Sequence, residues 1–162
     1  MSFLHTDPPW LFYFLGYAFG VVLGHSLVGM VVDQMYENFA RYMKQDLVKD
    51  GIRPQPWVPQ ITGVVERILF ISALLMGHAS FIGVWLAVKT ASQWKFWNEE
   101  KTRTRFQIFL IGNGLSILYA ATGYKIIVWL GREEITIAAV VSICLVSITL
   151  LIFLWAKRFE DG

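Results

Sequence analysis

Four long apolar stretches constrain what this chain can fold into. A helix needs about 20 residues to cross about 30 Å of hydrocarbon. The stretches from about Trp10 to Val32, Ile68 to Val88, Phe106 to Leu130 and Ile135 to Ala156 all reach that length. Backbone polar groups have no water to bond in lipid, so helices are expected, and the alternation of a membrane β-barrel is absent. The chain is 56% hydrophobic and 16% charged, where soluble domains average about 45–50% and about 25%. The sequence therefore reads as one integral membrane domain over residues 1–162: an all-α helix bundle with four transmembrane helices and one interfacial amphipathic helix.

The connections refine this. Pro8-Pro9 precedes the first span. From Asp33 to Asp50, the apolar residues Met35, Phe39, Met43 and Leu47 recur at helical spacing and continue from Val32. Glu37 and Arg41 sit four apart on the wet side, which predicts the interfacial helix, stopped at Gly51; the alternative is that the first span continues straight into water. Pro54, Pro56 and Pro59 then predict an extended return carrying Trp57. The Lys89–Arg105 loop mixes Lys95, Lys101 and Arg103 with Trp94, Phe96 and Trp97, as at a membrane interface. Glu99 lies four residues from both Lys95 and Arg103, a spacing that would extend the helices past the bilayer. The short turn Gly131–Glu134 makes the third and fourth spans antiparallel neighbours.

With four spans both termini share a side. Placing them in the cytoplasm puts seven Lys/Arg inside (89, 95, 101, 103, 105, 157, 158) and five outside (41, 44, 49, 53, 132), the direction favoured by the positive-inside rule. The N-terminus lacks a basic n-region, so the first span is read as retained rather than cleaved.

Several function classes fall away. A formal charge of +2 is too balanced for an electrostatic grip on nucleic acid. There is no zinc spacing, phosphate-cradling glycine loop, GxSxG, HExxH or EF-hand loop, so nothing points to an enzyme. No span is broken by proline, and no inverted repeat relates the halves. The lone Cys144 lies in an apolar run and reads as a small buried hydrophobe.

Small residues mark three packing faces. Gly16, Gly20 and Gly24 repeat every four residues in the first span, a spacing that lets backbones approach closely, within one chain or between two. Glu66, Phe70, Ala73, Gly77, Ser80, Val84 and Ala87 trace a left-handed seam along the second, and Gly112, Ser116 and Ala120 repeat in the third. The fourth span, rich in Ile, Leu and Val, reads as more lipid-facing.

Ionisable groups inside spans are expensive and therefore candidates for function. His25 and His78, on two helices, form the residue set of a bis-histidine haem b site; the plainer reading is a hydrogen bond from each to a neighbouring helix. Arg67, His78 and Lys89, eleven residues apart, fall on one face with Trp85, either as a polar track or with Arg67 and Lys89 reaching opposite interfaces. Glu66 is placed to pair with Lys125 at the outer boundary, and Asn113 to donate a hydrogen bond between helices.

The segments Val65–Phe70 and Ile82–Lys89, then Trp94 and Trp97, then Arg105-Phe106 and Phe109–Gly112, resemble a loose group of small uncharacterised bacterial multi-pass inner-membrane proteins. The resemblance covers roughly residues 63–123. It implies a bacterial inner (plasma) membrane protein and carries no catalytic residue across.

These observations favour a structural, assembly or interaction component of the bilayer. It would associate with itself or with a larger membrane complex through the Gly16/Gly20/Gly24 face, with the Lys89–Arg105 loop as a cytoplasmic contact or an anchor on anionic lipid. The alternatives are a haem- or quinone-linked redox anchor using His25 and His78, and a small transporter or channel working through Glu66, Arg67 and His78.

Overall fold

The computed structural model describes residues 10–43, 57–94 and 103–158. Among these residues the chain is helix and turn, without a strand. Helix α1 (Trp10–Tyr17), a π-helical turn (Ala18–Leu23) and helix α2 (Gly24–Met43) follow one another without a break. Then come α3 (Trp57–Leu75), α4 (Ser80–Ser92), α5 (Arg103–Leu130) and α6 (Ile135–Arg158). Three rods are long and apolar enough to cross a membrane: Trp10–Arg41, Arg103–Leu130 and Ile135–Arg158.

The first correction concerns the interfacial helix. No helix breaker separates Val32 from Asp33, and Val28, Val31, Met35 and Phe39 continue one inward stripe against Leu115, Tyr119 and Ile108. The rod therefore runs straight on to Met43 instead of bending at Asp33. Its outer side carries the expected Glu37–Arg41 pair at 3.9 Å. Residues 44–56 and 95–102, which hold the expected Gly51 stop and the Lys95–Glu99 spacing, lie outside the described residues. The proline-rich return also changes: α3 already starts at Trp57, with Pro59 in its first turn, where a missing N–H leaves no helical bond unmade.

The second correction concerns the span expected over Ile68–Val88. It is two helices. The Gly77 N–H bonds the Leu74 carbonyl at 3.2 Å and the His78 N–H bonds the Ala73 carbonyl at 2.8 Å. This paired closure ends α3, and it requires a left-handed residue at its pivot. Gly77 supplies that residue at φ +78°. The chain reverses, and α4 returns along α3. The small-residue seam accordingly stops at the turn: Phe70 and Ala73 are buried, whereas Gly77, Ser80, Val84 and Ala87 are exposed.

Helix α5 is central, touching α1, α2, α3 and α6. It runs antiparallel to the α1–α2 rod. Gly123 meets Gly16, Tyr119 meets Gly24, Gly112 meets Val32, and Ile108 packs with Phe39. Helix α3 is also antiparallel to the rod, with Ile71 against Gly20 and Ser72 Oγ 2.7 Å from the Tyr17 hydroxyl. Helix α6 returns parallel to the rod. Thr149 accepts from the Tyr119 hydroxyl at 3.0 Å, and the Ala156 carbonyl accepts from Asn38 Nδ2 at 2.7 Å.

Trp10 and Arg158 therefore stand at opposite ends of the bundle. Among the described residues three helical rods, not four, are long and apolar enough to span a membrane.

The Gly16/Gly20/Gly24 face is used within the chain. Cβ atoms at these positions would collide with Gly123 and Ile127, with Ile71, and with Tyr119 respectively. The face is thus filled by α3 and α5 and is not free for a second copy. Ser116 and Ala120 are buried on α5, and Gly112 lies against Val32. Helix α6 presents Ile143, Leu151 and Trp155 outward as expected. Cys144 is exposed on that same outer side rather than buried.

Candidate functional site

The hairpin creates the site. Glu66 lies eleven residues before Gly77 and Lys89 twelve after it. Two antiparallel helices bring residues at such matched offsets from their turn opposite one another, about 16 Å from the turn at 1.5 Å per residue. Lys89 Nζ donates to the Glu66 carboxylate, 2.6 Å from Oε1 and 2.7 Å from Oε2. It also donates to Asn113 Oδ1 at 2.7 Å and lies 5.4 Å from the centre of the Phe109 ring. Trp85 Nε1 donates to Glu66 Oε1 at 2.9 Å. Both oxygens of Glu66, itself 2% exposed, are therefore engaged from α4.

Consecutive residues of a helix point about 100° apart, so Arg67 faces away from this cluster, towards α2 and α5. Its guanidinium donates through Nη1 to Ser116 Oγ at 2.7 Å. Nη2 lies 3.5 Å from His25 Nδ1. Arg67 is 2% exposed, and its Nε–H is buried without a hydrogen-bond partner. Its two partners are a hydroxyl and an imidazole, neither of them a carboxylate.

Arg67, Glu66, Lys89 and Asn113 border a cavity of about 360 Å³ between α2, α3, α4 and α5. It extends towards the end of the bundle where α2 finishes and α5 begins, reaching Asp33, Tyr36 and Arg105. Gly29 on α2 faces open space here: an added Cβ would meet nothing within 4 Å. Among the described residues no group of three or more His, Cys, Asp or Glu side chains is placed to hold a metal ion.

Of the residues singled out from sequence, His25, Glu66, Arg67 and Asn113 come together around this cavity. His78 does not: it sits exposed in the α3–α4 turn, eleven residues beyond Arg67, or about 16 Å along α3. Two axial ligands must meet one iron, so His25 and His78 do not form the haem site set out above. The polar track through Arg67, His78 and Lys89 fails for the same reason, because the turn folds Lys89 back to the level of Glu66. Lys125 lies elsewhere too, with Nζ 5.7 Å from the Tyr124 ring centre; the partner of Glu66 is Lys89. Asn113 serves the interhelical contact as acceptor, while its Nδ2 donates to the Phe109 carbonyl within α5 at 2.6 Å.

Sequence reasoning missed Gly29 as a cavity residue and Ser116 as an arginine partner. The available signal was the polarity of early α3: Gln60, Thr62, Gly63, Glu66 and Arg67 are too hydrophilic for the start of a lipid-facing span. Compared with known proteins, the chain matches no family model, no curated sequence and no solved structure.

Proposed function

We propose that this protein is a small-solute transporter of a membrane, taking a polar solute into the cavity between α2, α3, α4 and α5. The observation that carries this reading is the cavity itself. It places Glu66, Arg67, Lys89 and Asn113 around about 360 Å³ of space, inside a bundle whose outer faces are apolar at Trp10, Phe14, Val84, Ile143 and Leu151. Buried ionisable groups in such a bundle are costly and mark solute or ion pathways. Assembly through the Gly16/Gly20/Gly24 face has lost its support, because those glycines are spent on internal packing.

The bilayer is taken as a bacterial inner membrane on the resemblance of residues 63–123. Folding span two into a hairpin also changes the orientation we propose, keeping the C-terminal end inside and moving Trp10 outside. Among the described residues five Lys/Arg (41, 103, 105, 157, 158) stand at or near the α2 end, and two (125, 132) at the other. Positive residues favour the cytoplasmic side. The cavity then faces the cytoplasm, with Arg158 inside and Trp10 outside.

Cysteine labelling tests the reading. Gly29→Cys should react with a small charged, membrane-impermeant thiol reagent added from the cytoplasmic side. Native Cys144, on the lipid-facing side of α6, should stay unmodified in the same sample. A Gly29→Cys protein as inert as Cys144 would overturn the proposal.

A further inference from the structure

We infer that the solute is an anion, held by its oxyanion group (phosphate or carboxylate) against the guanidinium of Arg67. The inference deepens the transporter reading and rests on it.

Three observations carry it. First, the two buried ionisable residues of α3 are treated differently. Glu66 is matched by Lys89 at 2.6 Å and by Trp85 at 2.9 Å. Arg67, equally buried, has Ser116 and His25 as its partners among the described residues and keeps one buried N–H unsatisfied. No carboxylate among the described residues closes a salt bridge with it. A buried guanidinium normally has its charge compensated; here no carboxylate among the described residues bonds it, and the neighbouring Glu66 is itself bound by Lys89.

Second, the charged residues bordering the cavity are Arg67, Lys89 and Arg105 against Asp33 and Glu66, three cations to two carboxylates. With Glu66 bound to Lys89, the local field at Arg67 favours an incoming negative charge and disfavours a cation. Third, Arg67 opens on unfilled space. The cavity of about 360 Å³ equals the liquid volume of roughly a dozen waters, at about 30 Å³ each, which is ample for a phosphate or a short carboxylic acid. The planar fork of arginine suits both groups. Gly29, four residues along α2 from His25, adds no side chain to this space.

The same chemistry is found in a free anion and in an anionic lipid headgroup. The experiment separates them. The detergent-purified full chain is titrated by calorimetry, at fixed sodium chloride, with inorganic phosphate, with acetate and with dihexanoyl phosphatidic acid. Dihexanoyl phosphatidylcholine and tetramethylammonium serve as zwitterionic and cationic comparisons.

Saturable binding of at least one of the three anions is expected. It should weaken about 10- to 100-fold in Arg67→Gln, the range for a lost hydrogen bond to a charged group. It should vanish in Gly29→Leu, which fills the cavity from α2 and leaves Arg67 and Ser116 unaltered. Binding of phosphate or acetate identifies a soluble anion, and binding confined to phosphatidic acid identifies a headgroup. Should Arg67→Gln not fold, Arg67→Lys keeps the charge and loses the fork, and Gly29→Leu leaves the arginine intact.

Anion binding that is unchanged in Gly29→Leu and in the folded Arg67 variant would overturn the inference. If only the zwitterion or the cation binds, and Gly29→Leu abolishes that binding, the anion assignment falls while the solute cavity stands. If no probe of any charge binds in a Gly29-dependent way, both fall.

Discussion

At Gly16 an added Cβ would stand 2.5 Å from the Gly123 carbonyl oxygen; at Gly29, further along the same rod, it would meet nothing within 4 Å. The α1 half of the bundle is packed backbone to backbone. Gly123 returns the contact, its own Cβ position lying 2.6 Å from the Gly16 carbonyl oxygen, and Ile71 and Ile127 fill the remaining space. In the α2 half, polar side chains stand where apolar ones would have closed the gap. Arg67, Glu66 and Lys89 hold the helices around a cavity. A glycine thus permits close approach without compelling it, and the residue opposite decides which outcome follows.

The largest effect should come from breaking the polar half. Glu66→Gln leaves the half-buried Lys89 against a neutral amide. Removing one member of a buried ion pair costs about 3–5 kcal/mol; the partial exposure of Lys89 puts the expected loss at the lower end, which thermal unfolding in detergent would register. Adding Lys89→Met should recover much of it, because the orphaned charge goes too. A double variant as unstable as the single one would mean that Glu66 acts through something other than this pair.

Next comes the packed half. Gly16→Ala drives a methyl group into the backbone of α5, which a side-chain rotation cannot relieve. Overpacking of this kind costs typically about 1–3 kcal/mol, read as a lower melting temperature. Unchanged stability would show that α1 and α5 have freedom to separate.

Much of this architecture was legible in the sequence, and the illegible part has one cause. The ends of α5 and α6 follow from charged residues flanking apolar runs, and the Gly131–Glu134 turn is visible in its composition. The α3–α4 hairpin is hidden because the run from Ile68 to Val88 carries no charge, and its pivot, Gly77, is also in register with a packing seam. What distinguishes it is a φ of +78°, which no residue count reveals. Once that turn was missed, the site was missed with it. Residues 66 and 89 are a full membrane width apart on a straight helix and in contact on a folded one. Their chemistry was readable, but their meeting was not.

The two helix-ending turns carry the glycine comparison further. At the α5–α6 turn, Glu133 N–H bonds the Leu130 carbonyl and Glu134 N–H bonds the Trp129 carbonyl, the same closure as at Gly77. Here a glutamate occupies the left-handed position, at φ 62°. A side chain there costs about 1–2 kcal/mol. Glu133→Gly should therefore raise stability by about 1 kcal/mol, less the added freedom of the unfolded chain. Gly77→Ala should lower it by a similar amount. Equal melting temperatures for Glu133→Gly and the native protein would mean that the turn relaxes without a glycine.

The smallest effect separates the two halves most cleanly, because it uses one substitution at two places on one rod. Gly29→Ala adds the same methyl group as Gly16→Ala, but into open space. The collision term vanishes, and what remains is the helix preference for alanine, about 0.5–1 kcal/mol in favour of the variant. The two alanine variants should therefore shift the melting temperature in opposite directions. A shift of the same sign at both positions would mean that the α2 half closes up around residue 29, leaving no standing cavity for a solute to enter.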